Sequence, residues 1–135
     1  MAEVIHSAGG ITGIHCCGNA NWPLVARCGT DIINFDAYDY VDTIALYPDE
    51  FRDFFSRGGL LAWGIVPTSD AITIETPDSV TARFREGIRK LSAKITEEIL
   101  LSRILITPSC GTGSRTVEET LKVFQILMRL KEAFA

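Results

Sequence analysis

The chain has no apolar run long enough to cross a membrane. Its longest, such as Leu60 to Val66 and Ile104 to Ile106, fall far short of the roughly 20 residues that a spanning helix needs. The opening Met-Ala-Glu-Val-Ile-His lacks the charged segment and apolar core of a secretory signal. Nor is there a basic block, because thirteen basic and seventeen acidic side chains, net charge −4, are interspersed along the chain. These absences argue against membrane and nucleic acid as partners. The four cysteines follow no regular framework, and one pair, Cys16 and Cys17, is adjacent. That spacing does not resemble a secreted disulfide scaffold, so metal or catalytic duty in a reducing compartment is the expectation, and with it a cytoplasmic location. Low-complexity segments and linkers are also missing. With 47% hydrophobic and 22% charged residues, 135 residues suit one globular domain over 1–135 with a real core.

What is present is an α/β alternation. Four β-rich runs, Ile11 to Cys17, Asp31 to Asp36, Leu60 to Val66 and Arg103 to Thr107, are each followed by residues of helical spacing or length. Pro23 opens a short helix closed near Gly29, and Pro48 opens Asp49 to Ser56, closed by Gly58 and Gly59. A third helix is predicted from Pro77 to Leu101, with Val80, Phe84, Ile88, Leu91, Ile95 and Ile99 on one apolar face. Thr116 and Glu119 stand in capping-box register ahead of a last helix whose Val117, Leu121, Phe124 and Met128 form one stripe.

Glu3 to Ser7, followed by Gly9 and Gly10, reads as the last turn of a helix, so the chain is expected to start in mid-unit. Strands alternating with helices imply parallel pairing and right-handed crossovers, and four such units make half of an eight-unit (β/α)8 (TIM) barrel. Half a barrel has two open sheet edges, which are usually covered or paired. Either a homo-oligomer or a missing N-terminal half is therefore expected.

Side chains alternate across a strand, so in Gly13-Ile14-His15-Cys16-Cys17 the residues His15 and Cys17 share a face and Cys16 points the other way. Cys110 occupies the corresponding place just past the last strand. Since the C-terminal strand ends of a barrel converge on one mouth, His15, Cys17 and Cys110 are expected to meet there. One imidazole and two thiolates suit Zn2+, with a fourth position left for substrate. Read singly, each cysteine is equally a small buried residue.

The runs Gly13-Ile14-His15-Cys16-Cys17-Gly18-Asn19, Ile33-Asn34-Phe35-Asp36 and Pro108-Ser109-Cys110-Gly111 resemble the uroporphyrinogen decarboxylase and cobalamin-independent methionine synthase superfamily. The resemblance covers nearly the whole chain and the C-terminal half of that family's barrel. It implies a zinc-dependent methyltransferase that activates a small-molecule thiol, such as homocysteine or coenzyme M, for methyl transfer from a folate or a methylated corrinoid protein. The family's further metal-side carboxylate is usually glutamate, and the matching position holds Asp36, as a fourth ligand or as the cap of the next helix. Coordination removes the proton of a thiol whose ordinary pKa is about 8.5 and holds a nucleophile ready. Two thiolates on the ion favour alkyl transfer over activation of water.

Other residues are candidates for substrate contact. Asn19 and Asn21 follow the His-x-Cys strand and touch substrate or form turns. Asp70 ends Trp63-Gly64-Ile65-Val66-Pro67-Thr68-Ser69-Asp70, a segment that also resembles the superfamily's mouth-lining strand, and it binds a polar group or caps a turn. Arg115 follows Gly111-Thr112-Gly113-Ser114, whose amides suit an anion or a plain turn. Trp22, Tyr38 and Tyr40 wall a pocket or pack, His6 is a helix-end residue, and Cys16 and Cys28 are expected in the core. A non-catalytic half-barrel that binds zinc or a partner is the alternative to the enzyme.

Overall fold

The computed structural model describes residues 2–134, in which one or two α-helices separate each strand from the next, seven helices and four strands in all. In order they are α1 (Ala2–Ser7), β1 (Gly13–Cys16), α2 (Trp22–Arg27), β2 (Ile32–Asp36), α3 (Ala37–Ile44), α4 (Pro48–Ser56), β3 (Leu60–Val66), a 3-10 turn (Asp70–Thr73), α5 (Pro77–Ser92), α6 (Glu97–Ser102), β4 (Ile104–Pro108) and α7 (Val117–Ala133). The strands form one sheet in the order β1-β2-β3-β4, and every pairing is parallel. This is the sheet of the expected α/β fold, and four consecutive parallel strands flanked by helices are compatible with half a barrel. Among the described residues, β1 and β4 have no strand on their outer sides. No helix is long and apolar enough to cross a membrane among the described residues.

Strand alternation divides the sheet into two faces. Ile33, Phe35, Leu61, Trp63 and Ile65 lie in the helix-packed core, with Ile14, Cys16, Ile104 and Ile106 against it. Its centre is a row of edge-on aromatic rings, from Trp22 to Phe35 (5.9 Å), Phe35 to Trp63 (5.4 Å), Trp63 to Phe84 (5.8 Å) and Phe84 to Phe134 (4.7 Å). Each such pair contributes about 0.5–1.5 kcal/mol beyond burial alone. The row ties α2, both central strands, α5 and the end of α7 into one body. The other face carries the residues in alternate register: His15 opposite Asn34, Asn34 opposite Ala62, Ala62 opposite Leu105, and Gly64 opposite Thr107.

Several sequence expectations change. The apolar face from Val80 to Ile99 belongs to two helices, because α5 stops at Ser92 and α6 starts at Glu97. The break resets the helical phase, so Ile95 and Leu100 are buried while Ile99 is 40% exposed. The last helix does open on its capping box, with Thr116 and Glu119 bonding reciprocally. However, Val117, Leu121, Phe124 and Met128 form its outer face, and Val123, Ile126 and Leu130 meet the core. Trp22 is fully buried and donates to the Thr43 hydroxyl at 2.9 Å, so it packs rather than walling a pocket. Cys28 is exposed at the C-terminal end of α2, not in the core, while Cys16 is partly buried. His6 does more than end a helix: its Nε2 lies 2.8 Å from Asp31, tying α1 to the start of β2.

Candidate metal centre

β1 and β4 are opposite edges of the sheet, three strand spacings apart, or roughly 14 Å if the sheet were flat. Yet the donor atoms of His15, Cys17 and Cys110 all lie within 4.8 Å of one another. Two devices close the gap. Toward the C-terminal end of the strands the sheet's open face has little between its edges, since β3 places the small residues Ala62 and Gly64 there. The chain after β4 also folds inward over the strand ends. Ser109 N donates to the Val66 carbonyl at 2.8 Å, and the buried Ser109 hydroxyl accepts from Thr68 N at 3.1 Å, which docks the residue before Cys110 on the end of β3. Gly64 is what permits this approach: a Cβ there would stand 2.8 Å from Ser109 Cα and 2.9 Å from the Pro108 carbonyl oxygen.

Four-coordinate zinc with Zn–S near 2.3 Å and Zn–N near 2.0 Å separates its ligands by about 3.5–3.8 Å. The trio therefore needs to draw in by only about 1 Å to fit such an ion. Its donor set, two sulfurs and one imidazole, is of the soft and borderline kind that zinc takes. All three residues are exposed, which leaves an open side. Cys16 lies on the opposite face of the strand, where burial, reinforced by Cys17 and Cys28, pushes its thiol above the ordinary value.

The other candidates divide. Asp36 stands outside the 4.8 Å group; its carboxylate accepts from Asp39 N at 3.1 Å and caps α3. Burial pushes this carboxyl up, against the pull of the Asp39 and Tyr38 amides and the nearby His15 ring. Asn19 is exposed, and Asn21 caps α2 through the Leu24 amide. Asp70 and Arg115 find each other, with Arg115 Nη1 donating to Asp70 at 2.7 Å and Glu119 3.9 Å away. That pair joins the loop after β3 to the loop before α7 on the rim of the strand ends. Tyr38 donates to Glu75 at 2.6 Å, and Arg83 donates to the same carboxylate at 3.1 Å while lying over the Tyr38 ring. Burial pushes Glu75 up, but its bonds from Ser79, Tyr38 and Arg83 outweigh that and hold it low; burial and Glu75 together push Tyr38 up to about 12. Tyr38 thus fastens α3 to the segment after β3.

Sequence reasoning passed over Asn34 and Thr107. His15 Nδ1 lies 2.5 Å from Asn34 Oδ1, and Asn34 Nδ2 donates to the Ala62 carbonyl at 2.9 Å and to Thr107 Oγ1 at 3.0 Å. The signal was there, since asparagine is depleted in strands and Asn34 interrupts an otherwise apolar run. Comparison with protein-family models, curated protein sequences and solved structures finds no match to this chain.

Proposed function

We propose that the chain is the metal-bearing half of a zinc-dependent thiol methyltransferase, acting on a small-molecule thiol such as homocysteine or coenzyme M with a folate or methylcorrinoid donor. The observation that carries this is the convergence of His15, Cys17 and Cys110 within 4.8 Å. The resemblance of the runs around those residues to the methionine synthase superfamily supplies the reaction class. Zinc, when bound, supplies the Lewis acidity that keeps a thiol deprotonated and nucleophilic at neutral pH.

The remaining work belongs to the chain. Cys17 and Cys110 would hold the ion as thiolates, so metal uptake would release protons and strengthen with rising pH. His15 would offer an uncharged imidazole nitrogen, so the ligand set would carry the charge of the two thiolates. Such an electron-rich set would favour attack on a methyl group over water activation. Exposure of all three ligands lets a thiol and a bulky donor reach the same point. The Asp70 and Arg115 pair on the rim offers charged groups to the polar part of a substrate.

Protein purified without chelator should carry about one zinc per chain, and Cys17→Ser or Cys110→Ser should lose most of it. Thiol alkylation with methyl-folate and methylcorrinoid donors then tests turnover. Absence of zinc together with unchanged folding of both variants overturns the proposal. A non-catalytic zinc- or partner-binding half-barrel is the second reading, favoured by the edges of β1 and β4, unpartnered among the described residues, and by the apolar outer face of α7. A zinc-loaded protein inert toward every donor supports it.

A further inference from the structure

We propose that Asn34 is the positioning residue of the metal centre, fixing His15 in the Nδ1–H tautomer so that Nε2 is the nitrogen presented to the ion. The inference rests on the metal-centre reading above, and its logic runs through the hydrogen-bond network one atom at a time. The Ala62 carbonyl can only accept, so the Asn34 atom 2.9 Å from it must be the amide nitrogen. The same nitrogen reaches the Thr107 hydroxyl at 3.0 Å, and that hydroxyl accepts from it in the orientation the Ala62 carbonyl has fixed. Oδ1 of Asn34 must then face His15, and an amide oxygen can only accept. The ring nitrogen 2.5 Å away, Nδ1, must therefore carry the proton. A neutral ring with its proton on Nδ1 has its lone pair on Nε2, and only that atom is free to take a metal.

The arrangement is a network of polar contacts across the whole sheet: His15 on β1, Asn34 on β2, the Ala62 backbone on β3 and Thr107 on β4. In a flat sheet β2 and β4 are separated by about 9.6 Å. Asn34 spans that distance because Ala62 and Gly64 leave the intervening strand nearly bare. A ligand histidine whose other nitrogen is held by a hydrogen bond is locked in ring orientation as well as in tautomer, which is the usual way such ligands are aimed.

Nitrogen-15 NMR of the metal-free full chain, at a pH where the rings are neutral, reads the tautomer directly, with His6→Gln used to assign the two histidines. The expected result is protonation of His15 at Nδ1 in the wild type and a shift toward the Nε2–H form in Asn34→Leu. Chelator competition should show Zn2+ binding weakened by 10–100-fold in Asn34→Leu, the usual effect of losing a hydrogen-bonding partner behind a ligand. Thr107→Val should weaken it less, and Thr107→Ser, which keeps the hydroxyl, should restore it. If Asn34→Leu does not fold, the wild-type tautomer and the valine and serine pair decide. Wild-type His15 protonated at Nε2, or unchanged zinc affinity in folded Asn34→Leu, overturns the proposal while leaving the metal centre intact. No zinc binding in the wild type with His15 protonated at Nδ1 overturns the metal-centre reading instead, and the tautomer assignment stands.

Discussion

Replacing Gly64 by alanine would put a Cβ 2.5 Å from the Phe35 carbonyl oxygen, 2.8 Å from Ser109 Cα and 2.9 Å from the Pro108 carbonyl oxygen. Ordinary contact begins at 3.4 Å, so β2 and the end of β4 must retreat by several tenths of an ångström to about one. All three obstacles are backbone, and none has a rotamer to give way. Overpacking of this kind typically costs about 1–3 kcal/mol, and backbone obstacles place it near the top. The smaller entropy of alanine in the unfolded chain returns about 0.4–1 kcal/mol. A net loss of about 2 kcal/mol is expected, or about 7 °C in Tm for a chain of this length. The displaced segment leads directly into Cys110, so zinc affinity measured by chelator competition should fall at least about tenfold. Gly87→Ala is the matched control, because its Cβ would meet the Trp63 ring at 2.6 Å on the helix-covered side. It should lose about 1 kcal/mol, since better helix propensity offsets part of the clash, and bind zinc as the wild type does. A Gly64→Ala protein with wild-type Tm, or one that is destabilised yet keeps full zinc affinity, would refute the claim that this glycine sets the position of Cys110.

Three further expectations concern the body that holds the site. In α7, Ile126→Ala should cost about 2–5 kcal/mol in urea unfolding because the residue is 1% exposed, whereas Leu121→Gln, at 55% exposure, should stay within about 0.5 kcal/mol. Thr116→Ala removes the hydroxyl that accepts from Glu119 N at 3.2 Å and should lower stability by about 1 kcal/mol in the same assay. Asp31 is held down to about 2 by the Thr12 amide first, then by His6 and the Thr12 hydroxyl. Because its unfolded value is near 3.9, its contribution is fully present above that pH and is lost as pH falls through about 2. Urea midpoints of Asp31→Asn should therefore lie below wild type at neutral pH, and the two should converge as pH falls across that window.

Much of this was legible in the sequence, for identifiable reasons. Leu60 to Val66 reads as a strand and is β3 residue for residue, because a continuous apolar run bounded by Gly58, Gly59 and Pro67 has one easy solution. His15, Cys17 and Cys110 were readable because the two-residue period of β1 and parallel alternation dictate where strand ends gather. The break between α5 and α6 was not, since the apolar spacing runs through it. Nor was the outer position of Leu121 and Phe124, because α7 has apolar residues on two sides and periodicity cannot say which side meets the sheet. Asn34 stands out locally as a residue that strands disfavour, but its partners depend on inter-strand register, which no local pattern encodes.

The bond from Asn34 to Thr107 joins residues 73 apart in sequence, and the sulfurs meet from the two outermost strands. The centre is consequently indivisible. No pair of neighbouring β-α units contains it, and a truncation that removes either edge strand with its loop removes at least one of the three donor residues outright. Grafting it onto another scaffold would require the entire width of the sheet, and any probe that sees the assembled trio is thereby counting molecules in which all four strands are in place.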